Sequence, residues 1–588
     1  MASDSEDDVY NDRFVRNLLD SDDDSDDSFD GFDPVRQRRN YNILLETPLS
    51  VFGPENNVEI EADREAGWTG NETFPTVMPF NGGGTLNVEM DSHNPIDYMK
   101  LFIDNDFFEV MCNETNAYAT NRMANQELAT HSRMRKWEDV TPSEMKVFFA
   151  LVIAMGLVYK SDLDDYWTTD YVTETPFFSR SMSRDRFLNI LSNFHISTDE
   201  DPTDKLRRIR PMIIRTMQRF SKVYTPDENL SFDEATCPWK GRLNIKVYNK
   251  NKPAKFGVKL YTVCEAGSGY CLGYDIYAGR QENRHAPDYY EALTGETQHK
   301  TKTTCIVMNL MSRCGLLHKG HKVYMDNYYT SPELFQELES SETYGCGTLR
   351  VNRVGTPLAI KSKRKLNEGE VVFRRKDNLL AMRYKDKRDV TMLTNFHEAN
   401  MAVLEKRDYR TGDNVRKPKC IVDYCKHMGG VDLLDQFGHY NCLTRKSKKW
   451  WRKLFYYLVN MTFVNSYILY KKFAVGEKKL DHDKFRSAIV CSLLEEAGDV
   501  ACRQVKRGRP VLGEIPTRMV SRCFPEYIPA KEGAKRARPL RDCVVCNPKK
   551  KERDGHKRVM TSFWCPECQV ALCVNQCFKD FHTKKNFK

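Results

Sequence analysis

Leu230-Ser231-Phe232-Asp233-Glu234 reads as a short strand that carries a carboxylate near its C-terminal end. Val323-Tyr324-Met325-Asp326-Asn327 repeats the pattern, and a third acidic segment follows in Gly429-Gly430-Val431-Asp432-Leu433-Leu434-Asp435-Gln436. The C-terminal ends of strands are where open α/β sheets place their chemistry. Acids brought there from distant parts of a chain can hold two divalent metals about 3.5–4 Å apart and drive phosphoryl displacement. Asp432 and Asp435 are spaced so that both face one side of a helix. From the residues alone, a metal site and ordinary surface acids both remain open.

Around these segments the periodicity changes twice. Between Asn94 and about 225 it is helical: Thr141-Pro142-Ser143-Glu144 is a helix start with a capping box, and Phe187, Ile190, Leu191 and Phe194 mark one buried face. After Pro226, strands are expected at Leu230–Asp233, Leu243–Tyr248, Val258–Cys264, Tyr270–Tyr277 and Lys322–Met325, with a turn at Gly267-Ser268-Gly269. Helices are expected near Tyr289–Leu293, from Ser331-Pro332 through Leu338, and from Trp451 to Tyr470. Residues 353–417 carry basic runs (Lys361, Lys363, Arg364, Lys365; Arg374, Arg375, Lys376) and read as an insertion between the second and third acidic segments. Strand, helix and strand in this order give an α/β fold with a mixed sheet and flanking helices.

With 588 residues the chain is long enough for several domains. Its longest apolar run, Phe148 to Tyr159, is too short to cross a bilayer, and the acidic start carries no secretory leader, so no membrane partner is expected. Residues 1–34 hold thirteen acids and two arginines, which leaves the rest strongly basic within a net charge of +8. A basic body suits a polyanion partner, although basic surfaces also simply confer solubility. The acidic leader is expected to be disordered and order to begin near Asn94; Ser3, Ser5 and Ser21 each precede an acid by three residues, the pattern read by an acid-directed kinase.

Six of the nineteen cysteines crowd into Cys543-x2-Cys546, Cys565-x2-Cys568, Cys573 and Cys577, with His582 beyond them. Paired CxxC knuckles are a zinc signature, since closely spaced thiolates complete tetrahedral sites. Seven ligands exceed one Zn²⁺ and fall one short of two; His556 is the candidate eighth, and a single ribbon of the four CxxC cysteines is the alternative. The other thirteen cysteines, through Cys523, read as ordinary buried thiols. Lys506-Arg507-Gly508-Arg509-Pro510 looks like an AT-hook core, a nuclear import signal or a solvated linker. Arg445, Lys446, Lys448 and Lys449 lie just before Trp450 and Trp451, a mixture suited to phosphate contact and base stacking, while the tryptophans also suit core packing.

Taken with their flanks, the three acidic segments resemble the aspartate triad of the piggyBac transposase family. The likeness is carried by Asp233-Glu234 with Trp239-Lys240-Gly241-Arg242, by Asn251-Lys252-Pro253-Ala254-Lys255-Phe256-Gly257-Val258-Lys259, and by Asp326-Asn327-Tyr328-Tyr329. Gly347-Thr348-Leu349-Arg350 and Gly430-Val431-Asp432 with Asp435-Gln436 extend it, as do Asp164-Asp165-Tyr166-Trp167 and Met182-Ser183-Arg184-Asp185-Arg186-Phe187 upstream. The resemblance runs from about residue 94 to the C-terminus. It implies an RNase H-like catalytic core inserted in a mostly helical DNA-binding and dimerisation domain, with a small C-terminal zinc-binding domain of cross-brace type. The implied boundaries are 1–93 for the acidic region, 94–225 and 442–540 for the helical domain and basic linker, 226–352 and 418–441 for the core, 353–417 for the insertion, and 541–588 for the zinc domain.

The resemblance also implies a function: a nuclear, homodimeric cut-and-paste DNA transposase. Such an enzyme binds the terminal inverted repeats of a transposon, frees a 3′-OH that attacks the opposite strand to form a hairpin, and inserts the element at TTAA. Asp233, Asp326 and Asp432 would bind two catalytic Mg²⁺, with Asp435 as an accessory acid; Cys543, Cys546, Cys565, Cys568, Cys573, Cys577 and His582 would bind one or two structural Zn²⁺. A domesticated DNA- or chromatin-binding relative is the alternative.

Overall fold

The strand expected at Leu230–Asp233 runs on to Pro238, because Ser231, Asp233, Ala235 and Cys237 alternate with Phe232, Glu234 and Thr236 along one continuous ladder. Asp233 therefore lies inside its strand rather than at the end. The structure is a computed structural model that describes residues 43–49, 57–125, 127, 132–199, 201–250, 255–279, 300–407, 412–440, 443, 447–476, 479–498, 523–530, 536–547 and 558–584. It divides into two units, Met1–Arg503 and Gln504–Lys588.

The first unit is built on a nine-stranded mixed sheet. Its strands are β1 (Asn229–Pro238), β2 (Lys246–Tyr248), β3 (Phe256–Glu265), β4 (Cys271–Ile276), β5 (Lys322–Met325), β6 (Tyr344–Thr348), β7 (Val371–Lys376), β8 (Leu379–Lys385) and β9 (Asp389–Thr394). The spatial order is β7-β8-β9-β6-β5-β1-β3-β2, with β4 sharing the outer side of β3. Only β1-β5 and β5-β6 are parallel. The parallel strands sit at the centre and are buried on both faces, as parallel pairing requires.

Ten helices of this unit matter for the site: α1 (Asn105–Asn125), α2 (Pro142–Leu157), α3 (Arg184–Asn193), α4 (Arg210–Val223), α5 (Lys302–Arg313), α6 (Pro332–Ser340), α7 (Lys419–His427), α8 (Gly430–Tyr440), α9 (Trp450–Phe473) and α10 (His482–Ala497). Thr141 caps α2 by accepting from the Glu144 N–H, but the Glu144 carboxylate does not complete the box; it forks onto Arg186 of α3 at 2.6 and 2.5 Å. Ser331 caps α6 through the Leu334 N–H at 3.2 Å, with Pro332 in the first turn. α6 covers one face of the sheet, where Phe335 fills the space above Gly345. α7 and α8 cover the opposite face, and α9 lies over α8. The helix expected near Tyr289–Leu293 lies outside the described residues.

Two expectations are corrected. Residues 353–417 are not set apart from the core: β7, β8 and β9 form a meander that continues the main sheet through β9-β6 pairing, and Asn400–Arg407 pairs with Asn414–Pro418 beside it. Order also starts well before Asn94. Ile43–Pro48 pairs with Asn400–Arg407, and a helix at Asn57–Glu65 leads to the buried Trp68.

Buried ion pairs tie the early segment to the meander. Arg374 and Arg375 are buried rather than a surface basic patch; Arg374 Nε meets Asp63 at 3.3 Å and an Arg375 Nη meets Glu72 at 2.5 Å. Asp63 also accepts from the Leu358 and Ala359 N–H groups at 2.5 and 3.0 Å. A buried cation without its acid is costly, so Asp63→Ala is expected to lower unfolding free energy by about 3–5 kcal/mol, read from urea denaturation. A change below about 1 kcal/mol, the scale of an exposed pair, would show that the pair does not hold the segment.

Candidate active site and metal centres

Parallel register aligns Phe232 with Met325, so Asp233 and Asp326 follow side by side on adjacent central strands. Alternation places Asp233 on the Ser231 face of β1, the face covered by α8. Contact there is close: a side chain at Gly430 would come within 2.9 Å of the Glu265 carbonyl oxygen, so glycine is what lets the start of α8 seat on β1 and β3. Val431 and Leu434 of α8 are buried while Asp432 and Asp435, three residues apart, are partly exposed. The helix thus presents both acids from the same turns that anchor it.

The surroundings show how the acids converge. Burial, then Cys271, then Asp435 and Asp233 push the Cys264 thiol upward, so the α8 and β1 carboxylates both act on one point of β3. Burial is also the main reason Tyr457 of α9 is pushed up, with Asp435 next; its hydroxyl donates to Asp435 at 3.3 Å. Burial and the neighbouring Glu234 push Asp326 up to about 6, against backbone N–H donation from Tyr328 at 2.9 Å. Glu234 is held in turn by Lys259 at 2.5 Å and by the Tyr329 hydroxyl at 2.9 Å. Arg350 anchors the turn after β5 by donating to Asn327 at 2.9 Å.

Asp326 and Glu234 thus stand as close carboxylates, an arrangement that a divalent cation can relieve. Asp233 and Asp326 on neighbouring strands, and Asp432 and Asp435 on the helix that covers them, are the candidate donors. Among the described residues, the groups of His, Cys, Asp and Glu whose ligand atoms close to within 4.8 Å of one another both lie in the second unit, so these carboxylates are convergent without being clustered.

In the second unit the ligands sort into two interleaved sets: Cys523, Cys565, Cys568 and His582, and Cys543, Cys546, Cys573 and Cys577. Cys523–Cys568 and Cys568–His582 distances of 3.9 and 3.6 Å match the edges of a tetrahedron with Zn–S bonds of about 2.3 Å. Cys546 and Cys577 approach to 3.2 Å. His582 Nδ1 donates to the Phe578 carbonyl at 2.8 Å, which leaves Nε2 as the ligand atom. The Cys568 N–H donates to Cys565 Sγ at 3.4 Å, and Gln569 takes φ 56° to turn the chain out of that knuckle. Both sets fit zinc.

Cys523, which sequence reasoning took for an ordinary thiol, supplies the eighth candidate ligand; His556 lies outside the described residues. The single ribbon is also overturned, because the two CxxC pairs belong to different sets. Of the basic candidates, Lys448 is exposed and Lys449 partly buried, whereas Arg445, Lys446, Lys506, Arg507 and Arg509 lie outside the described residues. Trp451 is core, packed on Phe194 and His195, and Trp450 packs at the margin of that core.

A family model described as Transposase IS4 matches residues 94–467, and one described as a DDE_Tnp_1-like zinc finger matches 532–583. The chain belongs to this transposase family. Human PiggyBac transposable element-derived protein 3 is 27% identical over 503 residues, covering 83% of this chain and 76% of that protein. Human PiggyBac transposable element-derived protein 2 is 24% identical over 455 residues, covering 75% and 72%. A cryo-EM structure of the piggyBac transposase synaptic complex with hairpin DNA superposes with a TM-score of 0.60 at 22% identity, over 84% of this chain and all of that one. Within the transposases, then, this is a piggyBac protein.

Proposed function

We propose that the chain is a cut-and-paste DNA transposase whose nuclease centre is Asp233, Asp326 and Asp432, assisted by Asp435, on an RNase H-like core. The observation that carries this is the parallel β1-β5 register, which aligns the first two acids under the helix bearing the others. Two divalent cations, Mg²⁺ by preference of such oxygen sites, would be held by Asp233, Asp326 and Asp432 and supply charge neutralisation at the attacking and leaving oxygens. Glu234, Lys259 and Tyr329 fix the strand turn that presents Asp326. Asp435, braced by Tyr457, orients the exposed side of α8 toward the scissile phosphate.

The substrate in this reading is duplex DNA at transposon ends flanked by TTAA, processed by a nuclear homodimer through a 3′-OH and a hairpin. The two zinc centres shape the tail for recognition of those ends. The acidic leader with Ser3, Ser5 and Ser21, outside the described residues, is the segment a kinase would modify.

The names of the human relatives, transposable element-derived proteins, favour a second reading: a domesticated DNA-binding protein. A plasmid excision assay separates the two. A reporter interrupted by the cognate ends is expected to rejoin at an intact TTAA when the full chain is supplied. End binding with no excision, in the presence of Mg²⁺ or Mn²⁺, would decide for the second reading.

A further inference from the structure

Buried polar groups that find no partner are rare enough to need a reason. Among the described residues three buried side-chain hydroxyls make no hydrogen bond, those of Ser231, Thr262 and Thr356. Two of the three lie on one patch of sheet. In the antiparallel β1-β3 ladder Ser231 stands opposite Cys264 and Asp233 opposite Thr262, so all four side chains share the face that α8 covers. Ser231 and Thr262 are fully buried. The orphaned hydroxyls thus flank the first aspartate.

Their surroundings tell them apart. Ser231 Oγ is turned to the start of α8, where a side chain at Gly430 would meet it. Thr262 has two cross-strand neighbours. The one on β4 is Tyr274, whose hydroxyl is already shared with Thr216 at 2.6 Å. The one on β1 is Asp233, one carboxylate oxygen of which accepts from the Glu234 N–H at 2.8 Å. Directly opposite side chains stand about 4.5–5.5 Å apart at Cβ, within reach of a hydrogen bond. Ser231, two residues along the strand from Asp233, stands roughly 7 Å away. The strong acceptor across from Thr262 is therefore the Asp233 carboxylate.

We propose that Thr262 is a positioning residue for Asp233: its hydroxyl donates to that carboxylate when the carboxylate turns toward a divalent cation, and so fixes which oxygen meets the metal. This rests on the nuclease-centre reading above. A ligating carboxylate is oriented by its own hydrogen bonds. A hydroxyl held unpartnered beside it burdens the fold until that bond is made. The role therefore has a signature of opposite signs, since removing the hydroxyl should favour the fold and weaken metal binding.

The test is Mn²⁺ binding by the full chain with its zinc in place, read from the EPR signal of free Mn²⁺, alongside the melting temperature without added Mn²⁺. Asp233→Asn identifies the site by abolishing it. Thr262→Val keeps the β-branched shape and loses the hydroxyl; it is expected to melt at or above the parent temperature. At the Asp233 site it should bind Mn²⁺ at least about tenfold more weakly, the scale of an outer hydrogen bond to a metal ligand. Thr262→Ser should bring the affinity back. Ser231→Ala removes an equally buried hydroxyl farther from the carboxylate and should leave the affinity unchanged. Parent-like Mn²⁺ binding by Thr262→Val overturns the role, as does an equal loss in Ser231→Ala, which would assign the effect to packing of the whole face. A melting temperature well below the parent in Thr262→Val overturns it too, because the hydroxyl would then serve the fold. If no Mn²⁺ binding by the parent depends on Asp233, the nuclease-centre reading itself fails, an outcome distinct from these.

Discussion

Asp326→Asn is expected to cut strand cleavage by at least about 10³-fold while leaving end binding within a factor of two or three. The carboxylate sits where burial and Glu234 already resist its charge, and the neutral amide removes the one donor set that makes a cation favourable there. Losing roughly 4 kcal/mol of charge stabilisation at the displaced phosphate corresponds to that factor. Asp233→Asn should do the same, because its strand is in register with the first. Asp326→Asn should not destabilise the protein, because relieving its like-charge contact with Glu234 leaves the melting temperature equal or higher. Lost activity with an intact or raised melting point separates a cleavage role from a structural one. Near-normal excision by either variant would sink the assignment.

The third acid is ranked by the same measurement. Asp432→Asn should match the first two. Asp435, already engaged by Tyr457, should give a smaller loss, and Tyr457→Phe should reproduce part of it. An equal, complete loss at Asp435 with activity surviving at Asp432 would exchange their roles.

Much of this centre was legible because its pieces are local. A strand that alternates around Asp233, a strand that stops at Met325 and a glycine-led helix with acids three apart each announce themselves within ten residues. What stayed hidden was made by partners far apart in the chain. Arg374 and Arg375 look like a basic run until Asp63 and Glu72, some three hundred residues earlier, bury them, so both the reach of the sheet and the start of order were misjudged. The capping box at Thr141 failed halfway for a similar reason: Arg186 competes for Glu144, and a charge-assisted fork outweighs a bond to one N–H.

Cys523 belongs to that hidden class as well, since it stands outside any CxxC pair. The count of ligands signals that one is missing without saying which residue it is. Seven ligands leave room for an eighth, and chain order alone does not choose between Cys523 and His556; the geometry selects Cys523. The alternation runs Cys523, then Cys543 and Cys546, then Cys565 and Cys568, then Cys573 and Cys577, then His582, so each zinc ties together chain segments that flank the other's ligands.

That crossing sets the size of the effect expected on metal removal. The second unit has strands of two or three residues and a small buried cluster around Cys565, Leu572 and Phe581. So little apolar burial cannot offset chain entropy, whereas a structural zinc supplies about 10–16 kcal/mol of apparent binding energy. A strong chelator is therefore expected to unfold this unit while the larger unit keeps its own melting transition, and zinc should restore it. By elemental analysis the parent should carry two zinc per chain. Cys523→Ser should carry one, and His556→Ala should still carry two. End binding should fall with the lost zinc, at least about tenfold, because the ligand segments that one ion no longer holds also flank the other. Two zinc retained by Cys523→Ser, or a tail that stays folded without metal, would overturn the interleaved assignment.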